Sequence, residues 1–378
     1  MKFNIAHPSK VVWMVPLVGG QLTIDQIHLA IRFFLSQPTD LLRLFISKKK
    51  ALINFLTIEF QHRFLKSAYV SGYPYRLIIE TGNVCPLRCV LCPTGRRENG
   101  LPTGFLSFLD FKKIVDELGD YLIIIDLYNW GEPLLNTEIF EIVRYARDKN
   151  ILVILSSNLN HFDKAICKKL IRCDLNLLMI SLYGASQETV ETYQRGNNFE
   201  NVIENVRHVV EEKRKSKRKK PFLQWRFMVT RYNEHEIPKA IEIAKKIGID
   251  FLELGCFRCD MSKEVFLDNA SQFESVREWL PKNERYSMYD YTHKRKKILR
   301  KNDCSFLWTQ SVVNWDGSVF PCCAVYGERW NFGNMFRSNF REIWNNAKYR
   351  ASREMIARGK GTGTKTICDI CKKNNAQI

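Results

Sequence analysis

Three cysteines fall within eight positions in the stretch CPLRCVLCPTG, as Cys85, Cys89 and Cys92. Thiols clustered this way in a reducing compartment bind metal or do chemistry more often than they pair as disulfides. Zinc takes four tetrahedral ligands, and neither His62 nor His161, the nearest histidines, stands at ligand spacing. A [4Fe–4S] cluster contains four irons, so three thiolates leave one iron without a protein ligand. An open coordination position distinguishes a catalytic metal site from a structural one. The loop therefore predicts a cluster whose vacant iron binds a small chelating molecule.

A second group lies near the C-terminus: Cys304, then Cys322 and Cys323 in WDGSVFPCC, then Cys368 and Cys371 in CDIC. Asp316–Gly317 is a hairpin-turn signal, so the middle pair should sit beside a hairpin and the last pair in a closing loop. Four thiols suit a structural zinc ribbon or an auxiliary iron–sulfur cluster. Cys304, Cys322, Cys368 and Cys371 are the candidates. Cys323 is left unassigned, because adjacent cysteines rarely both reach one cluster. Cys256 and Cys259 in CFRC carry a weak metal or substrate signal. Cys167 and Cys173, in the helical pattern AICKKLIRC, read as small buried hydrophobes.

These thiols need elements to hold them. From Tyr75 the chain alternates short apolar runs with helical patterns. Strands are expected at 76–80, 122–127, 151–155, 178–181, 223–229 and 251–254, with helices over 108–120, 137–149, 162–172, 187–213 and 234–247. Continuous apolar strands belong to sheets covered on both faces. Six such repeats imply an α/β fold, a partial (β/α)6 TIM-like barrel open on one side. Cys85 to Cys92 then follow the first strand, at the end of a barrel whose loops carry the active site. Residues 1–72 read as an N-terminal helical segment, 73–255 as the barrel, 256–303 as a charged linker around one helix near 272–280, and 304–378 as a small C-terminal iron–sulfur domain. The aromatic and basic helices of the first segment could lie on a surface. A layer packed on the barrel is the favoured reading.

The C-x3-C-x2-C loop after the first strand resembles the signature of the radical S-adenosylmethionine (SAM) superfamily, with Leu91 where that family usually has an aromatic residue. The resemblance implies that the open iron chelates the amino and carboxylate groups of SAM. An electron from the cluster then cleaves the sulfonium and yields a 5′-deoxyadenosyl radical. Gly131, Glu132 and Pro133 in NWGEP resemble the family segment that holds the methionine ammonium. Ser157 and Asn158 end the third strand, and Ser181 opens SLYGAS, which resembles a segment near the SAM ribose and carboxylate. Tyr183 stands where the family often has Asp, so no role passes to it. Arg195 in YQRG matches an Arg that faces the SAM carboxylate. The C-terminal segment resembles the shorter, one-cluster form of the SPASM/twitch extension. It implies a second, auxiliary [4Fe–4S] cluster on Cys304, Cys322, Cys368 and Cys371. Full thiolate ligation favours electron transfer over substrate binding.

The implied protein is a radical SAM oxidoreductase that abstracts a substrate hydrogen and passes the left-over electron to the auxiliary cluster. Its implied partners are SAM, a reductant such as flavodoxin or ferredoxin, and a substrate drawn from polar alcohols or sugars, lipid-linked molecules and peptides. Residues 1–70 show no strands of the kind that grip a leader peptide, which lowers the peptide option. No apolar run reaches membrane-spanning length and no secretory signal opens the chain, so a cytoplasmic protein is expected. Formal charge is 58 minus 40, or +18, concentrated at 48–50, 213–220 and 293–297. Such runs suit solvated helix ends, peripheral contact with an anionic membrane, or nucleic acid. The competing reading is a zinc- or cluster-containing nucleic-acid-binding protein without catalysis. The four ordered segments after successive strands count against it.

Overall fold

Apolar strands alternate with helices that bury one stripe, and the chain resolves this into a single sheet with helices outside it. The structure is a computed structural model and describes residues 12–14, 32–98, 102–256, 268–297, 304–359 and 363–373. Six strands follow the expected order: β2 (Arg76–Ile79), β3 (Ile124–Leu127), β4 (Leu152–Ser157), β5 (Leu177–Ser181), β6 (Phe222–Val229) and β7 (Phe251–Cys256). Each pairs in parallel with its sequence neighbour, as short right-handed crossovers require. Four further strands extend the sheet: β1 (Val12–Met14), β8 (Gln310–Val313), β9 (Ser318–Phe320) and β10 (Gly333–Asn334). The ten-stranded order is β1-β7-β6-β5-β4-β3-β2-β8-β9-β10. The two ends do not pair, so the sheet is an open, partial barrel.

The crossover helices are α3 (Phe108–Leu118), α4 (Ile139–Asp148), α5 (Lys164–Arg172), α6 (Gln187–Tyr193), α7 (Phe199–Lys215) and α8 (Ile237–Ile247). Ser107, Asp163, Ser186 and Asn198 cap four of them through side-chain oxygens, each worth about 1 kcal/mol. Their inner stripes bury Ile114, Val143, Leu170, Val206 and Ala240 against the sheet.

Four expectations need correction. The single helix over 187–213 is two helices, because Gln194–Arg195 leaves the helix to pair with Arg88–Cys89, and Gly196 takes φ +84 to make the turn. The N-terminal 70 residues are not all helical: β1 adds a parallel strand beside β7. Its three residues lie within the continuous apolar run VVWMVPLV, which carries no period-two signal. The helix near 272–280 is α9 (Asn269–Val276), set earlier by the Asp268 cap. Cys368 and Cys371 lie on a short helix, residues Ile367–Lys373, rather than in a loop. Thr366 and Asp369 bond each other at its start.

The C-terminal hairpin forms as the Asp316–Gly317 signal predicts, with Gly317 at φ +82 and Asn314 N donating to Ser318 O at 2.8 Å. Its first strand, β8, pairs in parallel with β2 over four residues. The hairpin thus continues the barrel sheet on the side that carries the three-cysteine loop.

Helices α1 (Pro38–Ser47) and α2 (Lys49–Phe60) do not lie on the outer helical layer. Their inward groups reach the N-terminal ends of the strands. Gln37 and Asp40 bond Asn176, just before β5. Asp40 also pairs with Arg147, before β4, and with Lys220, before β6. Asn54 bonds Tyr73 and Tyr121, before β2 and β3. Phe33 inserts among Leu152, Leu177, Phe222 and Phe251 at the strand starts. Together they form a floor that closes the bottom of the half-barrel.

Candidate functional site

Above that floor the barrel interior becomes polar. Arg76 forms a bidentate pair with Asp126, and Arg226 donates to Glu253 at 2.7 Å. Gln224 also donates to Glu253 at 2.6 Å. Tyr128 lies between the two arginines, whose charges act on it. A third of the Arg76 side chain is reachable by water although protein surrounds it, so it lines a wet interior. These groups escaped the sequence reading. The signal was there: a charge inside an otherwise apolar strand, as in LIIIDL, LQWRF and FLEL, must face a lumen or a partner.

The three-cysteine loop leaves the top of β2. It turns tightly: Cys92 N donates to Cys89 O at 3.2 Å, and Arg96 N to Cys92 O at 2.9 Å. A Cβ on Gly95 would sit 2.5 Å from Cys89 N, so only glycine fits. Cys89 pairs through its backbone with Gln194, which ties the loop to the top of β5. Leu91 and Val90 pack on the apolar group of Cys256, Phe273 and Trp279.

Burial pushes the Cys85 thiol up to about 12, with the Glu132 carboxylate and Cys92 adding to it. Cys89 and Cys92 are raised by burial as well, and Cys89 further by the other two sulfurs. Three thiols this close and this dry stay protonated unless a cation replaces the protons, so loading a metal cluster would release them. Among the described residues, no group of three or more His, Cys, Asp or Glu stands ready to hold a single metal ion. A donor set of three sulfurs on one loop fits a multi-iron cluster better than one ion.

The expected SAM residues divide. Gly131, Glu132, Pro133, Ser157 and Asn158 come together beside this loop. Gly131 lies against Gly82 at backbone contact, where a Cβ would be 1.9 Å from Gly82 O. Glu132 N donates to Val84 O at 2.8 Å. The Glu132 carboxylate accepts from Leu134 N at 3.0 Å and Asn158 N at 2.8 Å. Burial raises it and these amides, with the Ser157 hydroxyl, pull it back down. Three donors leave one of the carboxylate's four lone pairs for an ammonium. Pro133 opens the short 3₁₀ turn that Glu132 caps. Asn158 Nδ2 lies 3.7 Å from Cys85 Sγ. Ser181, at the end of β5, meets Ser156 rather than this group, at 3.0 Å between hydroxyls. Arg195 is tied by its main chain to Arg88, and its side chain is exposed. Sequence reading missed Gln194, which donates to Ser181 O and accepts from Tyr183 N, and Asn233, which bonds Tyr183 O and Met228 O.

At the C-terminal end, burial and the charges of Cys323, Cys368, Cys304 and Cys371 raise Cys322 well above an ordinary thiol. Cys368 is raised by burial, and by Cys304 and Cys371, against a bond from Ser352. Cys304, Cys322, Cys368 and Cys371 are thus near enough for their charges to act on one another. Cys323 acts on Cys322 and also reaches the barrel interior, where its charge acts on Arg76 and Tyr128. Cys256 is buried at the end of β7, and Cys259 lies outside the described residues.

A small cavity of about 20 Å³ lies at the seam between barrel and hairpin, lined by Glu80, Trp130, Trp315, Asp316 and Tyr326 among others. Burial pushes the Glu80 carboxyl up to about 7, against amide bonds from Trp315 and Trp130, and its Oε1 has no partner. The unfolded chain loses this proton near 4.5 and the folded chain near 7. Stability therefore falls as pH rises between them, and the whole penalty, about 3 kcal/mol, is present above 7. Glu80→Gln should raise Tm at pH 8 and leave it nearly unchanged at pH 4. A wild type that outlasts the variant at pH 8 would mean that Glu80 is ionised there against a bound cation.

A partial parallel barrel with a three-thiol loop after its first strand, and a four-thiol unit docked on its edge, defines a class of cluster-bearing radical enzymes. Comparison with known proteins agrees. Residues 79–219 match the radical SAM superfamily, and residues 304–373 match the SPASM iron–sulfur cluster-binding domain. The chain belongs to the radical SAM superfamily and carries a C-terminal SPASM-type extension. An AdoMet-dependent heme synthase of Methanosarcina barkeri is 27% identical, with 76% of this chain and 88% of that one covered. A PqqA peptide cyclase of Bradyrhizobium diazoefficiens is 24% identical, with 81% and 80% covered. Among solved structures, SuiB of Streptococcus suis bound to S-adenosylmethionine has a TM-score of 0.58 at 15% identity, covering 92% of this chain and 84% of that one. That likeness is one of fold. The protein is a radical SAM enzyme whose cofactors are SAM and [4Fe–4S] clusters.

Proposed function

We propose that this enzyme is an oxidoreductase. It cleaves SAM reductively, abstracts one hydrogen atom from a substrate, and completes a two-electron oxidation with the auxiliary cluster on Cys304, Cys322, Cys368 and Cys371. When bound, the clusters supply electron transfer alone, one electron into the SAM sulfonium and one taken from the substrate radical. The chain does the rest. Cys85, Cys89 and Cys92 hold the first cluster. Glu132 and the Gly131–Pro133 backbone offer acceptors for the SAM ammonium, and Asn158 fixes Glu132 while lying on Cys85. Ser157 braces Glu132, Ser181 orders the β5 end, and Arg195 stands at the rim for the SAM carboxylate. The observation that carries this reading is the linked chain from Cys85 Sγ to Asn158 to the Glu132 carboxylate at one mouth.

The substrate enters at the seam between barrel and hairpin, where the wet interior of Arg76, Tyr128 and Arg226 lies between the two thiol groups. The relatives' names point to a heme synthase and to peptide-modifying enzymes; a polar alcohol or sugar and a lipid-linked molecule are the other substrate classes in this proposal. A small acidic redox protein, flavodoxin or ferredoxin, is the proposed electron donor, and its charge complements a +18 chain. The protein is placed in the cytoplasm with peripheral contact to an anionic membrane. Anaerobic reconstitution tests the chemistry. The expected result is about eight irons per chain and 5′-deoxyadenosine that forms only with dithionite or a reduced donor. Zinc in place of iron, or no 5′-deoxyadenosine, would overturn it.

A further inference from the structure

The floor helices are built inside out. On α2 the buried positions are Ala51, Asn54, Ile58 and, one turn on, His62. The outward positions are Ile53, Leu56, Phe60 and Phe64, exposed by 65%, 66%, 52% and 75%. On α1 Asp40 and Leu44 point inward while Leu42, Phe45 and Ile46 face out, each at least 60% exposed. The inward groups are anchored by bonds to the strand starts, so the helices cannot simply be rotated to hide the outer stripe. Asn54 and Asp40 alone make contacts to Tyr73, Tyr121, Asn176, Arg147 and Lys220. Of the 13 large hydrophobic residues most exposed among the described ones, ten lie between Leu35 and Tyr69. A contiguous apolar face of this kind marks an interaction surface.

Charge says what covers it. From residue 32 to residue 66 the chain carries seven basic residues, Arg32, Arg43, Lys48, Lys49, Lys50, Arg63 and Lys66, against Asp40 and Glu59. Asp40 turns inward to Arg147 and Lys220, and Lys48 turns inward to Gly119 O. Lys50 pairs with Asp120 and Arg63 with Glu59, so the outer rim keeps a modest positive excess, with Arg43 and Lys49 exposed on it. Large apolar side chains on amphipathic helices with lysines and arginines at the edge are the pattern of an element that lies in a bilayer interface. No helix among the described residues is long and apolar enough to cross a membrane, so the element would rest on it.

We propose that α1 and α2 seat the enzyme on an anionic lipid bilayer by the floor of its half-barrel, with the catalytic mouth facing away from the membrane. This rests on the membrane contact proposed above and not on the chemistry. The second half follows from topology. The floor meets strand starts, whereas the cysteine loop and the NWGEP segment follow strand ends. A strand of five or six residues plus one helix diameter puts the cysteine loop roughly 30 Å above the lipid plane. A substrate reactive group buried in the bilayer beneath the enzyme cannot reach it. The substrate arrives from the aqueous side, on a soluble carrier or on a head group that extends that far.

The test is flotation of the reconstituted holoenzyme with vesicles of phosphatidylcholine alone and with about one third phosphatidylglycerol. Binding is expected to the anionic vesicles and to weaken in high salt. The exposed triple variant Phe45→Asp, Phe60→Asp, Phe64→Asp should lose vesicle binding by about 100-fold or more, while 5′-deoxyadenosine formation in solution stays at the wild-type level. Failure of the wild type to float, or flotation equal in the variant, would overturn the proposal. So would a wild-type dimer in solution that the variant converts to monomer, which would assign the face to a second copy. Loss of 5′-deoxyadenosine in the wild type would instead strike the chemistry and leave flotation to be read on its own.

Discussion

Cys92→Ala should reduce SAM cleavage by about 1000-fold or more while leaving roughly half of the iron in place. In the proposed site the loop would supply three sulfurs to its cluster, and burial pushes each of these thiols up. Two remaining thiols cannot hold a cube whose third corner opens to water, and the cost of losing a direct ligand exceeds the 10- to 100-fold typical of residues behind the ligands. The four C-terminal sulfurs lie on separate elements: before β8, after β9, and on the helix Ile367–Lys373. Their cluster should persist. The measurement is iron per chain together with the visible absorbance of the variant, and 5′-deoxyadenosine yield under dithionite. Equal cleavage by variant and wild type would end the assignment of this loop. A Cys322→Ala variant should do the reverse: it keeps dithionite-driven SAM cleavage and loses the other half of the iron.

The parts of this site that could be read in the sequence are those in which residue type and local spacing are enough. Three cysteines in eight positions need no fold to be recognised, and six apolar runs separated by helical patterns leave little choice but a parallel sheet. What the sequence hid depends on contacts between distant positions. Gln194 looks like one more polar residue in a helical run. It becomes a clamp on Ser181 and Tyr183 only because Gln194 and Arg195 leave that helix to pair with the cysteine loop, with Gly196 making the turn. The continuation of the sheet from β2 into β8 joins residues over 230 positions apart, and no periodicity announces it. The floor helices show the opposite error. Their hydrophobic stripe reads as a core-facing surface by the usual rule, and the structure turns it outward because Asp40 and Asn54 have stronger claims on the strand starts. A buried polar group must find its partners, and here that requirement outweighs the apolar stripe's preference for the core.

Gly131→Ala should be the most damaging small substitution in the chain. The added methyl would stand 1.9 Å from Gly82 O, 2.7 Å from Gly82 C and 3.0 Å from Asn83 Cα, and real Cβ atoms do not approach backbone so closely. Neither side can give by rotating a side chain, so one loop must move by more than an ångström. The movement would pull Glu132 N off Val84 O, now at 2.8 Å, and carry the Glu132 carboxylate away from Asn158 N, also at 2.8 Å. Asn158 would then lose its bearing on Cys85. One methylene-sized change thus reaches the cluster loop and the SAM acceptors together, which a substitution at Arg195, exposed at the rim, would not. A displacement of that size at a positioning contact costs about 100-fold in rate. The expected result is a fall of that order in SAM cleavage, a weaker SAM dissociation constant, and an unchanged C-terminal cluster. Because the sheet and the floor are untouched, the variant should remain folded, with its far-UV spectrum preserved. Wild-type SAM affinity in folded Gly131→Ala would show that the two loops are free to part, and that the NWGEP segment does not position the cofactor.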